Sequence, residues 1–350
     1  MTTVETIALA PGYRISRIVR GGWQLAAGHS PLEAERAIAD MAAFLEAGVT
    51  TFDCADIYTG VEDMIGRFRE RIVAERGQEA LAGFKVHTKF VPDWVALAKI
   101  DRAYVRRIVD RSLQRLRMER LDLVQFHWWN YEVPRAVDTA LMLKELQDEG
   151  KLDLIGGTNF DTPHTRALLE AGVPLVSMQV QYSLLDARPE HGLTALCAER
   201  GIKLLCYGTV AGGFLSERWL GAPEPREPLA NRSLVKYKLI VDDFGGWTLF
   251  QKLLEVLRDV GRKHGVSLTA VATRWVLDRP QVAGAIVGAR YADHLPDTVS
   301  VFGFALDDAD RAAIDAVLAR RTGPAGDTYA LERDREGRHG RIMNYNLNKG

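Results

Sequence analysis

Three consecutive stretches decide the architecture: Phe84-Lys-Val-His-Thr-Lys89, then Asp101 to Met118, then Leu121-Asp-Leu-Val-Gln-Phe-His127. The outer two are short, β-rich apolar runs. The middle one is amphipathic, with Val105, Ile108, Val109, Ser112 and Leu116 on one helical face. A strand, a crossover helix and a second strand form a parallel unit. Outward from this unit the alternation recurs. Arg17-Ile-Val-Arg20, Thr50-Thr-Phe-Asp53, Leu152-Asp-Leu-Ile-Gly156, Leu175-Val-Ser-Met-Gln179, Ile202-Lys-Leu-Leu-Cys-Tyr207 and Val282-Ala-Gly-Ala-Ile-Val287 bring the strand-like runs to eight. Ser30-Pro31-Leu32-Glu33 reads as a helix start, with Ser30 as N-cap, Pro31 at the first position and Glu33 closing a capping box. Ile38, Met41, Ala42 and Leu45 then share a face up to Gly48, and Arg135 to Glu149 forms another helix, stopped by Gly150. The pattern predicts an α/β fold with a parallel sheet, either open and doubly wound or closed as a (β/α)8 barrel. Before it, Thr6-Ile-Ala-Leu9 and Tyr13-Arg-Ile-Ser16 flank Pro11-Gly12 and predict a β-hairpin.

Two segments depart from the alternation. Residues 217–247, with Pro223, Pro225 and Pro228, read as a long functional loop after the seventh strand. The tail, residues 323–350, is dense in charge yet carries Ile342, Met343, Tyr345 and Leu347. That apolar set predicts a tail folding back over a single domain of residues 1–322. Arg102, Arg106, Arg107, Arg111 and Arg115 form the second face of the Asp101–Met118 helix and read as a solvated outer surface.

Composition narrows the function classes. The chain has 350 residues, with 45 Lys+Arg against 46 Asp+Glu and a net charge of -1. That balance excludes the basic excess of a general nucleic-acid binder. A hydrophobic share of 47% with 26% charged residues suits a globular protein. The longest charge-free run, Ala171 to Leu185, is too short for a membrane span, which needs about 20 apolar residues. The first ten residues, MTTVETIALA, lack the basic and apolar regions of a signal peptide. Cys54, Cys197 and Cys206 fit neither a disulfide framework nor a zinc site. No metal is expected, and a reducing cytoplasm is the predicted compartment. Asn231-Arg-Ser233 matches a glycosylation acceptor only by chance in that setting.

In a barrel, chemistry gathers where strands end. Asp53 closes the second strand and Tyr58 follows it; Lys89 closes the third and His127 the fourth. Each alone has a bland reading as a cap, a packed aromatic, a surface lysine or a structural histidine. Together, on consecutive units, they converge on one mouth. A free phenol, with a pKa of about 10, is a reluctant acid. An ammonium about 4 Å away contributes on the order of 4 kcal/mol at an effective dielectric of 20, or about 3 pKa units. The expectation is that Lys89, held charged by Asp53, lowers Tyr58 toward neutral pH as a general acid–base. His127 is expected to donate to the substrate oxygen.

These residues, with Gly21-Gly22-Trp23, Gly48 to Asp53, Ala55-Asp56-Ile57-Tyr58, His87-Thr-Lys89, Leu121 to His127, Ile155-Gly-Gly-Thr-Asn-Phe160, Gln179 to Asp186 and Ile286-Val-Gly-Ala-Arg290, resemble the aldo-keto reductase superfamily from about Val4 to Leu318. The resemblance implies a (β/α)8 barrel. It implies catalytic roles for Asp53, Tyr58, Lys89 and His127, nicotinamide contacts at Thr158, Asn159 and Gln179, and a ring-stacking Tyr207. Gly213, Leu215, Gly288, Ala289 and Arg290 are the candidate phosphate contacts, with His294 and Asp297 near the adenine end. The implied cofactor is NADP(H), with NAD(H) as the alternative. No G-x-G-x-x-G follows a strand, so a Rossmann site is not supported.

The chain departs from the family pattern in places. Thr158 replaces serine, Gly208-Thr209 replaces Ser-Pro, Asp297-Thr298 replaces Glu-Asn, and His294 stands where an arginine is usual. Trp23, Trp128 and Trp129 are candidate pocket walls beside Tyr58 and His127. The function implied is reduction of an aldehyde, ketone or sugar carbonyl, or the reverse oxidation of an alcohol. The alternatives are a cofactor-binding regulatory module with little turnover and a lyase using Lys89 as a Schiff base.

Overall fold

A computed structural model describes residues 3–26 and 32–348. β1 (Thr6–Ala10) and β2 (Tyr13–Ser16) form an antiparallel hairpin. Its turn needs Gly12, which sits at φ 72°. Leu9, Tyr13 and Ile15 of this hairpin pack against Val19, Leu123, Leu205, Ala283 and Ile286 and so floor the barrel. Eight parallel strands follow: β3 (Ile18–Gly21), β4 (Thr51–Asp53), β5 (Lys85–Phe90), β6 (Leu121–Phe126), β7 (Leu152–Thr158), β8 (Leu175–Gln181), β9 (Lys203–Tyr207) and β10 (Val282–Gly288). They close in sequence order, with β10 pairing β3. Buried on both faces, parallel strands are nearly continuous apolar runs, which is why eight short β-branched segments became the barrel wall.

The helices around it are α1 (Ala34–Glu46), α2 (Val61–Arg76), α3 (Arg102–Leu116), α4 (Ala136–Asp148), α5 (Thr162–Glu170), α6 (Leu193–Arg200), α7 (Arg232–Phe244), α8 (Gly246–His264), α9 (Leu268–Leu277), α10 (Leu295–Ser300) and α11 (Asp308–Leu318), with a short α12 (Ala330–Arg333) in the tail. None of the described helices is long and apolar enough to cross a membrane.

Local expectations needed three corrections. Ser30 and Pro31 lie outside the described residues. Glu33 is the residue before α1, has no side-chain cap and donates its amide to the Tyr291 hydroxyl at 3.0 Å, so the capping box it was to close is not formed. Residues 217–247 are not one long loop, because 232–244 form α7. Asn231 caps it by accepting from the Leu234 amide at 3.0 Å, and Leu234, Tyr237, Ile240, Val241 and Phe244 bury one face. The arginine face of α3 is solvated only in part. Arg102 and Arg106 pair with Glu145 of α4 and Glu149 just past its end, whereas Arg111 bonds Asn348 of the tail and Arg115 reaches the Asp56 carbonyl and Glu62.

The tail crosses the end of the barrel where the strands finish. Thr328, Tyr329, Glu332 and His339 are buried. Arg188 bonds Asp186 at 2.7 Å and Glu332 at 2.8 Å, with all three side chains out of solvent. Farther on, His339 meets Asp243 of α7 at 2.7 Å, and Asn348 donates to the Val91 carbonyl at 2.6 Å. Breaking a buried pair from one side leaves a charge unmatched. We expect Arg188→Leu to lower the unfolding free energy in urea by about 3–5 kcal/mol. Burial alone would raise the Glu332 carboxyl, but Arg188 and Lys236 outweigh it and hold it at about 2, against an ordinary 4.5. Its stabilisation is therefore complete above pH 4.5 and lost as pH falls toward 2, and Glu332→Gln should remove that part of the acid dependence.

Candidate active site

Parallel register sets the site. Gly21 lies level with Asp53, Asp53 with His87, Lys89 with Gln125, Thr158 with Gln179, and Gln181 with Tyr207. At the throat, the Lys89 ammonium donates to Asp53 Oδ2 at 2.6 Å and to the Cys54 carbonyl at 2.8 Å. The second oxygen of Asp53 accepts from Gln125 at 2.9 Å and from Gln179 at 2.7 Å. Asp53 and Lys89 are almost wholly buried. Burial opposes the Lys89 charge, yet Asp53 wins and the ammonium pKa is raised. Gly22 permits the close approach of β3: a Cβ there would stand 2.8 Å from the Asp53 carbonyl.

Tyr58 sits in the turn between β4 and α2, with the Lys89 ammonium 4.9 Å from its ring centre. The sequence reading expects Lys89 to lower the phenol. Instead the Tyr58 pKa is raised. Burial is the largest cause, and it exceeds the opposing charge and hydrogen bond of Lys89. Asp53 adds to the rise, since it offsets the very cation that would stabilise a phenolate. Trp23 meets Tyr58 edge-on at 5.1 Å.

His127 lies just beyond β6, two residues past Gln125. Its Nδ1 is 3.0 Å from the Thr158 carbonyl, and its buried Nε2 has no protein partner. Burial first, then the charge of Arg333, lowers its pKa to about 3, so the ring is neutral. Trp129 packs edge-on at 4.2 Å from His127 and donates its indole N–H to the Pro92 carbonyl at 2.8 Å. Trp128 does not line the site. It is fully buried against Phe126 on the opposite side of the chain and donates to the Asn130 carbonyl at 2.8 Å.

The cofactor candidates are placed unevenly. Tyr207 donates to Asn159 Oδ1 at 2.8 Å, and Asn159 adopts φ 61°, a left-handed conformation that asparagine tolerates better than most residues. Thr158 donates its hydroxyl to the Gln179 carbonyl at 3.3 Å. The Gly213 and Leu215 amides do not face an anion: both donate to the Val210 carbonyl, at 2.9 and 3.2 Å. Gly288 is the exposed last residue of β10, the half-buried Ala289 and Arg290 follow it, and the Arg290 carbonyl accepts from the buried Arg20 at 3.5 Å. His294 is exposed, and Asp297 begins within the six-residue α10. Beside Tyr207, the buried Thr209 hydroxyl and Gln181 Oε1 have no protein partner. Orphaned polar atoms next to an aromatic face suit a polar heterocycle, so the residues present fit a nicotinamide. Among the described residues no cluster of His, Cys, Asp or Glu is arranged for a metal.

Several site residues escaped the sequence reading. Gln125 was findable as the inward position two before His127. Tyr329 stacks edge-on against His127 at 5.6 Å, and Arg333 caps the carbonyls of Trp128, Trp129 and Asn159. Lys236 of α7 brings a cation within 5.0 Å of the Tyr207 ring centre and 5.6 Å of the Tyr237 ring centre. The apolar content of the tail hinted that this segment, with Tyr329 and Arg333, packs over the barrel; nothing in the sequence reading pointed to Lys236.

Comparison with known proteins gives a consistent result. The model of the aldo/keto reductase family matches residues 17–319. The chain is 26% identical over 342 residues to aldo-keto reductase YhdN of Bacillus subtilis, covering 93% of this chain and 97% of that one. It is 31% identical over 268 residues to flagellar radial spoke protein 5 of Chlamydomonas reinhardtii, covering 64% of this chain and spanning only 49% of that longer relative. The solved structure of the glycerol dehydrogenase AKR11B4 from Gluconobacter oxydans aligns with a TM-score of 0.75 at 25% identity, covering 93% of this chain and 98% of that one.

The two adjacent tryptophans should separate in experiment. Trp128→Ala opens a core cavity and should cost about 3–5 kcal/mol of stability. Trp129→Ala should instead change ligand affinity at the mouth. Chemical denaturation and ligand titration of both variants check this.

Proposed function

The chain belongs to the aldo/keto reductase family, and on that footing we propose that it is an oxidoreductase that reduces an aldehyde, ketone or sugar carbonyl, or oxidises the matching alcohol. NADP(H) is the cofactor we favour, with Tyr58 as general acid–base. The observation that carries this reading is the buried Lys89 ammonium, which bonds Asp53 at 2.6 Å and lies 4.9 Å from the Tyr58 ring centre; His127, at the end of the next strand, supports it. A nicotinamide dinucleotide, when bound, would supply a hydride to the carbonyl carbon. Tyr58 then gives its proton to the oxygen, which takes up the former π pair as an alcohol. The raised affinity of Tyr58 for its proton keeps it a donor throughout the neutral range. Lys89 stabilises the phenolate left behind, because opposite charge beside a buried anion is worth more than in water. Asp53, Gln125 and Gln179 hold Lys89 in place.

Thr158, Asn159, Gln179 and Tyr207 would hold the nicotinamide. Arg290, two residues past β10, supports the choice of NADP(H), since its guanidinium would meet a 2′-phosphate. Arg20, beneath the Arg290 carbonyl, supports that loop from inside. Three unpaired, buried cysteines suit a reducing cytoplasm.

Tyr58→Phe should lower turnover by about 10²–10⁴-fold. It should leave the thermal shift produced by NADP+ intact, because a ligand that binds only the folded state stabilises it irrespective of chemistry. Unchanged turnover on a carbonyl panel would refute the assigned acid. Because the Tyr58 pKa is raised, reduction should stay level through neutral pH and fall only above the ordinary tyrosine range. Oxidation, which needs the phenolate, should climb as pH increases.

A further inference from the structure

We propose that Lys236 makes the site prefer the reduced nicotinamide dinucleotide over the oxidised one, by holding a positive charge against the ring on which the nicotinamide stacks. This deepens the oxidoreductase reading and rests on it, with Tyr207 as the stacking residue.

Gly208 stands where the family pattern has serine. It adopts φ 72°, and a Cβ there would stand 2.4 Å from the Tyr237 hydroxyl. Gly212, at φ 63°, is crowded by the same side chain: a Cβ there would stand 2.6 Å from the Tyr237 ring. The two glycines therefore open the loop after β9 to one residue of α7. Tyr237 is buried in that seat, and its neighbour Lys236 is carried over the mouth. The Lys236 ammonium lies 5.0 Å from the ring centre of Tyr207, 5.6 Å from that of Tyr237 and 5.8 Å from that of Tyr329. Three aromatic faces thus hold one cation.

The nearby acids are engaged elsewhere. Arg188 bonds Asp186 at 2.7 Å and takes both oxygens of Glu332, at 2.8 and 3.1 Å. Lys236 stands farther from Glu332, at 3.9 Å. The carboxylates are matched to the guanidinium, and the ammonium is the charge that meets the tyrosines. Burial lowers its pKa, while Glu332 and Asp186 act to keep its proton. Arg333, bonded to the carbonyls of Trp128, Trp129 and Asn159, adds a second cation at the same mouth.

A nicotinamide ring is a cation when oxidised and neutral once it has gained a hydride. An ammonium fixed beside its stacking partner repels the first form and is indifferent to the second. It also takes up part of the attraction that the Tyr207 π-cloud would offer a cationic ring. Both effects have the same sign. Whatever Lys236 contributes to the phosphates is common to the two forms and cancels in their ratio. Its signature is therefore a change in the ratio of affinities, which a scaffold residue would leave alone.

The test needs no substrate and no turnover. Dissociation constants are measured for NADPH, by the fluorescence of the bound ligand, and for NADP+, by displacement. The wild type should hold NADPH about fivefold or more tighter than NADP+. That preference should shrink by about fivefold in Lys236→Met and in Lys236→Gln, and persist in Lys236→Arg, which keeps the charge. A tenfold change in the ratio equals about 30 mV in the midpoint of the bound two-electron couple. Equal affinities in the wild type, or equal weakening of both ligands in the neutral variants, would overturn the proposal. So would a ratio that the neutral variants leave unchanged. Titration with NADH and NAD+ reads the same quantity, and failure of the wild type to bind either couple would instead overturn the oxidoreductase reading.

Discussion

The rest of the site is arranged around a buried ion pair. Lys89 and Asp53 meet at 2.6 Å where water is excluded. Such a pair survives only if its remaining donors and acceptors are satisfied, because desolvation otherwise exceeds the attraction. Here the Cys54 carbonyl completes Lys89, and two glutamines complete Asp53. Those partners come from the end of β4 and from β6 and β8, so the pair is fully satisfied only when β8 has joined the sheet.

The same dry throat decides the protonation of its neighbours. Tyr58 retains its hydrogen and His127 remains neutral. Asp53 and Lys89 form a matched pair at the throat, while Arg333 and Lys236 bring positive charge close to His127 and Tyr207. A field from Lys89 reaches Tyr58, but it is partly cancelled by the carboxylate that keeps Lys89 in place. The arrangement thus holds a phenol whose anion is supported yet scarcely populated, which is the condition of an acid rather than a standing base.

Much of this was legible in the residues. Eight strand runs could be read because buried parallel strands are short, β-branched and almost free of charge, and the Asp53, Tyr58, Lys89 and His127 positions followed from the rule that such strands present their chemistry at one end. What could not be read depended on solvent and on distant pairing. Tyr58 looked acidic because charge is visible in a sequence and burial is not. Trp128 and Trp129 looked alike because the chain leaves β6 at Phe126, and only coordinates show which of the two turns inward. α7 was hidden by the prolines preceding it, although Leu234, Tyr237, Ile240 and Val241 already had helical spacing. The Arg188–Glu332 contact joins residues 144 positions apart, beyond any local pattern.

That last contact has a consequence for biosynthesis. Every strand of the barrel precedes residue 289, whereas Tyr329, Glu332 and Arg333, which roof the mouth, come later in the sequence. During translation the sheet can therefore close while its roof is still inside the ribosome. The nascent protein passes through a stage in which the Asp53–Lys89 pair is assembled under an open, wet entrance, before Tyr329, Glu332 and Arg333 cover it.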